Sequence, residues 1–292
     1  MQRVLLCFVA VVALSISASA APAAPVDPTA RTVKTPAFTV QWSATDPEEI
    51  LSLSWNGSAN LTNTAPLFPY CPGDSEFFGN SWDTDNDVNF ASPVGWGTTG
   101  TWMATGQPGV GVMSSASGCF GTSGIPVQTR YRFADSGESV NTFTVRRSFF
   151  FGATPFTHDL RPYIPRLFPR DSYSQVIHPD ASGTSLVTED ASPCDFGCRV
   201  TDWNGTWFAV NDPTTGAGMI VLHQQSRFTT ALWVDMEGAS ATTASSVALV
   251  QPPDGFRGTV TDVQAFCFYD AGVWKPSLTL PAGCDIAGGG ES

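Results

Sequence analysis

The sequence predicts an all-β protein with little helix, built as a large antiparallel β-sandwich (a supersandwich) that disulfides staple together. Short alternating or β-branched runs are separated by turn residues, and no window of about 12 residues keeps a helical apolar period. The chain has 27 Gly and 22 Pro, which is too many for a helical bundle. Hydrophobic residues make up 42% of the 292 residues, enough for a substantial core.

The chain begins with the pattern of a secretory signal peptide over 1–20. A positively charged start, an apolar run over 4–14 and a small-residue cleavage site follow one another. The apolar run is too short to cross a bilayer, so we expect a secreted or periplasmic protein without membrane insertion. A disordered Ala/Pro-rich lead-in is expected over 21–35, a single sandwich domain over 36–284 and a flexible tail over 285–292.

The strands follow from apolar and β-branched runs bounded by turn residues such as Asn56-Gly57 and Asp254-Gly255. They are predicted over 37–42, 50–55, 127–133, 142–151, 173–178, 207–211, 218–223, 228–237, 246–251, 259–269 and 273–280. The Ser/Gly/Thr-rich region 72–124 is expected to form surface loops. No linker or composition break interrupts the ordered part, which favours one large sandwich over two small domains.

The cysteines predict disulfides. Removal of the signal peptide leaves an even set of six, namely Cys71, Cys119, Cys194, Cys198, Cys267 and Cys284. In an exported protein such a set indicates three bridges, although 15 connectivities are open. The most economical pairing joins Cys194 to Cys198, Cys267 to Cys284, and Cys71 to Cys119.

The formal net charge is −12, which argues against nucleic acid as a partner because phosphate binding needs a basic surface. The sparse positive charge is concentrated in one part of the chain, at Arg130, Arg132, Arg146, Arg147, Arg161, Arg166 and Arg170. Residues two apart on a strand share a face, so Arg130 and Arg132 lie together, whereas Arg146 and Arg147 lie on opposite faces.

Arginine beside aromatic rings suits a carboxylate or sulfate group with ring stacking. Arg161, Arg166 and Arg147 are therefore candidate ligand-binding residues, and three prolines hold the segment 161–170 extended. The alternative is that these arginines form ion pairs with the many acidic residues.

A second candidate surface carries a tryptophan with two carboxylates. Strand periodicity places Trp233, Asp235 and Glu237 on one face, which could stack on a sugar ring and accept its hydroxyl groups. The alternative is an ordinary solvated strand face.

Local sequence offers no zinc motif, nucleophile elbow or phosphate-binding loop. His178, which follows a strand and precedes Pro-Asp, is the candidate proton-transfer histidine, against a structural role at the strand end. Asp83, Asp85 and Asp87 alternate in a polar loop and could hold calcium, the one cofactor considered. An ordinary solvated acidic loop is the alternative to that metal site.

Several segments resemble the galactose mutarotase-like β-supersandwich domains. Residues 142–151 are similar to their long strand with arginine and aromatic residues, 203–221 to a hairpin with an Asp-Pro-x-Thr-Gly turn, and 259–280 to a closing pair. The resemblance covers about 127–281. It implies carbohydrate binding and, in the enzymes of that superfamily, mutarotation or polysaccharide lysis. The mutarotase enzymes among them use a histidine as acid and a glutamate as base. His158 or His178 with Glu237 would take those roles here.

Three hypotheses for the function follow. The first is a secreted carbohydrate-binding protein for an anionic polysaccharide. The second is a polysaccharide lyase or sugar epimerase acting on uronates, in which an arginine neutralises the carboxylate and His178 or Tyr163 moves the proton. The third is a structural or envelope protein without a small ligand.

Overall fold

The computed structural model describes residues 26–27, 30–42, 50–58, 61, 78–79, 82–83, 110–117, 127–134, 137–152, 155, 161–164, 166–167, 173–190, 198–224, 232–236, 244–249 and 253–286. The strands are, in chain order, β1 (Val26–Asp27), β2 (Thr32–Lys34), β3 (Phe38–Trp42), β4 (Ile50–Trp55), β5 (Phe78–Gly79), β6 (Trp82–Asp83), β7 (Val110–Ser117), β8 (Val127–Ala134), β9 (Thr142–Phe151), β10 (Arg161–Ile164), β11 (Arg166–Leu167), β12 (Gln175–Pro179), β13 (Leu186–Asp190), β14 (Cys198–Val200), β15 (Trp207–Asn211), β16 (Gly218–His223), β17 (Leu232–Met236), β18 (Ala244–Leu249) and β19 (Gly258–Tyr269). One 3₁₀ turn, Glu138–Asn141, lies between β8 and β9.

The described strands form antiparallel sheets, as the sequence predicted. The largest has eight strands in the order β13-β12-β15-β16-β19-β9-β8-β7, and a four-stranded sheet follows the order β1-β2-β3-β4. A five-stranded sheet has the order β14-β17-β18-β10-β6, and β11 pairs with β5 in a small sheet of its own. Within the described part of the chain, no helix is long and apolar enough to cross a membrane.

The main core lies between the four-stranded sheet and one face of the eight-stranded sheet. Phe38 of β3 meets Phe143 and Phe268 edge-on, with ring centroids 5.6 Å and 5.3 Å apart. Phe143 stacks on Phe133 and Phe266 at 5.0 Å in each case. The period of two along β8, β9 and β19 therefore turns one side chain in two toward a shared aromatic cluster.

The opposite face of the eight-stranded sheet is covered in part by the C-terminal segment (270–286). Trp274 of this segment meets the ring of Tyr269 edge-on at 4.7 Å. Cys284, near its end, is joined by a disulfide to Cys267 of β19. One of the predicted disulfides is thus confirmed, and it holds the segment against the sheet.

Tyr269 belongs to a second core cluster, which also contains Trp274, Cys267 and Cys284. Its hydroxyl donates to Asn211 Oδ1 at 3.1 Å. It lies directly opposite Gly218, where a Cβ atom would collide with the tyrosine hydroxyl. Burial raises the pKa of Tyr269 well above its usual range, because the phenolate would lose its hydration.

The raised pKa of Tyr269 predicts a loss of stability in base. Above about pH 10 the unfolded chain releases this proton while the folded chain retains it, so the free energy of unfolding falls as the pH rises. Tyr269→Phe should cost about 1 kcal/mol near neutral pH, through the lost hydrogen bond, yet decline less steeply from about pH 9 to 11. Melting temperatures measured across this range test it, and parallel curves for the two proteins would contradict it.

Several strands begin and end where the sequence predicts, among them 50–55, 142–151, 207–211 and 218–223. Each of these carries a β-branched or aromatic run with a clear boundary. The exact bounds of other strands differ by a few residues, because paired neighbours rather than local composition decide where a ladder ends.

Three expectations differ from the structure. Part of the lead-in expected to be disordered forms β2, because Val33 pairs with Val40 and is fully buried. The region 72–124, expected to be loops, contains β5, β6 and β7. Residues 273–280, expected to be a strand, form an irregular segment in which Trp274 Nε1 donates to Thr279 O at 2.9 Å.

Candidate functional site

The five-stranded sheet places Trp233 and Asp235 on one face, and we describe this sheet by its backbone and register. The two residues alternate along β17, and Arg199 of β14 lies directly opposite Trp233. On the other side, β18 contributes Val247 and Ser245 opposite Trp233 and Asp235. Because residues directly opposite each other in an antiparallel pair share a face, Arg199 belongs to the same surface.

The register extends this face to Tyr163 and Arg161. Tyr163 of β10 lies opposite Leu249, which is two residues from Val247 on β18 and so shares its face. Arg161 lies two residues before Tyr163 and directly opposite Asp83 of β6. The sheet thus brings residues that are distant in sequence onto one surface. We call this surface the mixed strip, and it consists of Arg199, Trp233, Asp235, Tyr163, Arg161 and Asp83.

The mixed strip is long enough for an extended polymer. From the register, it runs about 20 Å along the strand direction and about 20 Å across the strands. Its two arginines and two aspartates cancel in formal charge, whereas the whole chain has a net charge of −12. The residue types supply ring stacking, carboxylate acceptors and bidentate guanidinium donors, the three contacts that hydroxylated rings use best.

Asp83 and Arg161 were predicted to serve different ligands, calcium and an anion. Their direct opposition across β6 and β10 instead suits a cross-strand ion pair, which stabilises a sheet. Asp85 and Asp87 lie outside the described residues. Among the residues that are described, no group of three or more His, Cys, Asp or Glu side chains could hold a metal ion.

Two of the candidate arginines lie elsewhere. Arg166 is in β11, opposite Gly79, in the small two-stranded sheet. Arg147 is in β9 of the eight-stranded sheet, directly opposite Asp262 of β19. The structure therefore places Arg161, Arg166 and Arg147 in three different sheets.

His178 is fully buried in β12 and offers no surface to a ligand in this conformation. Its Nδ1–H donates to the carbonyl oxygen of Pro179 at 2.9 Å. Its Nε2 lies 3.5 Å from Glu189 Oε1 without forming a hydrogen bond. These contacts favour the structural interpretation of His178, and its catalytic role stays a prediction.

The carboxylate of Asp180 accepts hydrogen bonds within the turn after β12 and none from His178. Its Oδ1 accepts from Thr184 N and from Ser182 Oγ, each at 2.9 Å. The backbone hydrogen bond from Thr184, followed by the hydroxyl of Ser182, holds the pKa of this exposed carboxyl below its usual range. The His-Pro-Asp sequence is thus accounted for by a strand end and an Asx-type turn.

Most of the remaining predicted site residues lie outside the described part of the chain. Glu237 lies outside the described residues, as do Cys71, Cys119 and Cys194, and Cys198 is described by its position in β14 opposite Val234. The role of Glu237 as a base and the other two disulfides stay predictions. Arg199, in contrast, was missed, because nothing in its local sequence links it to Trp233 before the pairing of β14 with β17 is known.

No family model matches this chain, and no curated protein matches it. Among solved structures, the chain is similar to the α-N-acetylgalactosaminidase NagBb from Bifidobacterium bifidum in complex with GalNAc. The TM-score is 0.54 and the sequence identity is 10%, over 82% of this chain and 36% of that one. The ligand-free form of NagBb matches with a TM-score of 0.52, 10% identity and coverage of 82% and 35%. The chain spans about a third of the length of that enzyme. At this identity the likeness shows that this chain shares its all-β fold with the matched third of that enzyme.

Proposed function

We propose that the protein is a secreted carbohydrate-binding β-sandwich protein whose ligand is an anionic polysaccharide, bound along the mixed strip. One observation carries the proposal: the register of the five-stranded sheet gathers Trp233, Asp235, Arg199 and Tyr163 on one face. The fold shared with part of a GalNAc-binding enzyme is a second, weaker support.

Each residue type has a distinct part in the proposed binding. Trp233 is the stacking platform for the apolar face of a sugar ring. Asp235 accepts hydrogen bonds from ring hydroxyls, and Arg199 binds a uronate carboxylate through two parallel N–H groups. In the register, Asp83 lies directly opposite Arg161 whereas Trp233 lies directly opposite Arg199, so we assign the carboxylate contact of the binding protein to Arg199.

Trp233→Ala should weaken glycan binding at least tenfold, because the platform contributes both buried apolar area and ring stacking. Affinity electrophoresis in gels with alginate, pectin or a neutral glucan measures the effect, and wild type is expected to be retarded most by the two acidic polymers. Asp235→Asn, which keeps the shape of the side chain, should weaken binding by less.

The matched control is Trp82→Phe. Trp82 lies in β6 of the same sheet opposite Pro162, which places it on the other face from the mixed strip. This variant should bind as wild type does. Folded wild type that no polysaccharide retards would refute the proposal and favour a structural or envelope protein without a small ligand.

A catalytic version of the same site rests on Tyr163 and Arg161, which share a face two residues apart on β10. In a lyase, the arginine would neutralise the uronate carboxylate and the ionised tyrosine would take the adjacent C–H proton. A C=C bond would form as the glycosidic C–O bond breaks, and the tyrosine would return the proton to the departing sugar oxygen. Unsaturated uronate products absorb in the ultraviolet. A flat absorbance trace with retained binding would favour the non-catalytic protein.

A further inference from the structure

Three arginines lie together on one face of the eight-stranded sheet, whereas the mixed strip belongs to the five-stranded sheet. Arg130 and Arg132 alternate along β8, and Arg146 of β9 is directly opposite Arg130. Directly opposite residues have Cβ atoms about 5 Å apart, and Arg132 is about 7 Å further along the strand. The side chains of Arg132 and Arg146 are half-buried. We call these three residues the arginine face.

The register surrounds the arginine face with neutral residues. Its nearest neighbours on β7, β8, β9 and β19 are Val112, Ser114, Gln128, Thr144, Ser148 and Val263. In the described part of the chain, neither Arg132 nor Arg146 has a carboxylate within 4.0 Å. The hydroxyl-bearing neighbours provide further hydrogen-bonding groups but no counter-charge.

Two other arginines in the sheets lie directly opposite an aspartate. Arg147 lies opposite Asp262, and Arg161 lies opposite Asp83. Opposite charges at such positions stabilise a sheet, whereas like charges directly opposite each other destabilise it. In a chain with only 14 basic residues, three of them share one small patch without an acidic neighbour in register. An arrangement that costs the free protein stability is relieved when an anion occupies it.

The register of the facing pair favours one kind of anion. A planar carboxylate uses both of its oxygens on one guanidinium, in the parallel bidentate arrangement. A tetrahedral oxyanion has enough oxygens to be shared by two guanidinium groups that approach from neighbouring strands. Arg130 and Arg146 lie directly opposite each other on neighbouring strands, and Arg132 follows two residues along β8 on the same face.

We infer that the arginine face is a second binding site, specific for tetrahedral oxyanions carried as sulfate esters on a polysaccharide. It lies on a different sheet from the mixed strip, so it does not depend on the proposed function. A protein with both sites would bind a sulfated glycan at the arginine face even where the mixed strip contributes nothing.

The test compares dextran sulfate with unsulfated dextran, polygalacturonate and inorganic sulfate, using isothermal titration calorimetry at low salt. Wild type should bind dextran sulfate and not dextran. The variant Arg132→Gln with Arg146→Gln should lose at least tenfold in affinity for dextran sulfate. The matched control, Lys34→Gln with Lys275→Gln, removes the same charge from exposed positions and should lose less than threefold.

Other readouts separate a binding site from a structural one. The double arginine variant should melt at the same or a higher temperature than wild type, since like-charge repulsion is removed, and it should keep its affinity for pectin at the mixed strip. Trp233→Ala, conversely, should keep its affinity for dextran sulfate. Inorganic sulfate should compete with dextran sulfate at the arginine face, though weakly, because it presents a single group.

Three results would overturn the inference. The first is an affinity for dextran sulfate that is unchanged in the double arginine variant or equally reduced in the lysine control, which would indicate a diffuse charge effect. The second is equal competition by polygalacturonate, which would exclude selection of a tetrahedral group. The third is a large fall in melting temperature without a change in binding, which would assign the arginines to structural ion pairs.

Discussion

Replacement of both Cys267 and Cys284 by alanine should lower the free energy of unfolding by about 3 kcal/mol, since a bridge over a sequence separation of 17 restricts the unfolded chain by about that much. Both cysteines are buried in the second core cluster. The disulfide also holds the C-terminal segment in place, where Thr142 Oγ1 donates to Gly283 O at 3.1 Å. Urea denaturation of the oxidised proteins measures the change.

The loss should have a local component. Without the bridge, the C-terminal segment keeps the packing of Trp274 and Leu280 and a few hydrogen bonds, so it should open before the sheets unfold. Hydrogen exchange is then expected to rise first in residues 270–286, while the amides of β9 and β19 stay protected. A free energy of unfolding within about 0.5 kcal/mol of wild type would contradict this account of the C-terminal segment.

The strands of the main core could be predicted because their side chains alternate between two environments. Thr142–Phe151 places Phe143 and Val145 in the aromatic cluster, and Gly218–His223 is a continuous apolar run buried on both faces. Val110–Ser117 was missed, because its glycine and serine residues have no apolar alternation and its position is decided by pairing with β8. Pairing between distant strands is a property of the whole chain that local composition does not contain.

The same distinction between local periodicity and strand pairing applies to the candidate sites. Periodicity alone establishes that Trp233 shares a face with Asp235 and that Arg130 shares one with Arg132. It cannot establish that Arg199 lies opposite Trp233, or that Arg146 lies opposite Arg130, since both depend on which strands pair and in which register. A one-residue slip of β9 would place Arg147 or Val145 opposite Arg130 and turn Arg146 to the other face of the sheet.

Burial is the other property that the sequence did not reveal. A histidine before Pro-Asp was a candidate for proton transfer, yet His178 is enclosed and its Nδ1–H is used by the backbone of the next residue. The strand β12 is covered on both of its faces, because Val176 packs in the main core and Ile177 packs in the cluster on the opposite face.

Phe143→Ala should have the largest effect of any single substitution in the described core, a loss of about 3 to 5 kcal/mol in the free energy of unfolding. Its ring is 1% exposed and lies against Phe38, Phe133 and Phe266. Removal leaves a cavity at the point where the four-stranded sheet meets the eight-stranded one, and flat rings held by several strands cannot collapse into it. The measurement is chemical denaturation monitored by tryptophan fluorescence.

Two control variants test whether the loss in stability comes from the removed core volume at Phe143. Phe143→Leu keeps much of the volume and should cost distinctly less, because the remaining branched side chain still fills part of the space. Val273→Ala, at a position that is 57% exposed, should change the free energy of unfolding by no more than about 0.5 kcal/mol. If Phe143→Ala costs as little as Val273→Ala, the two sheets are not joined through this aromatic cluster. If Phe143→Leu costs as much as Phe143→Ala, ring stacking rather than volume dominates the contact.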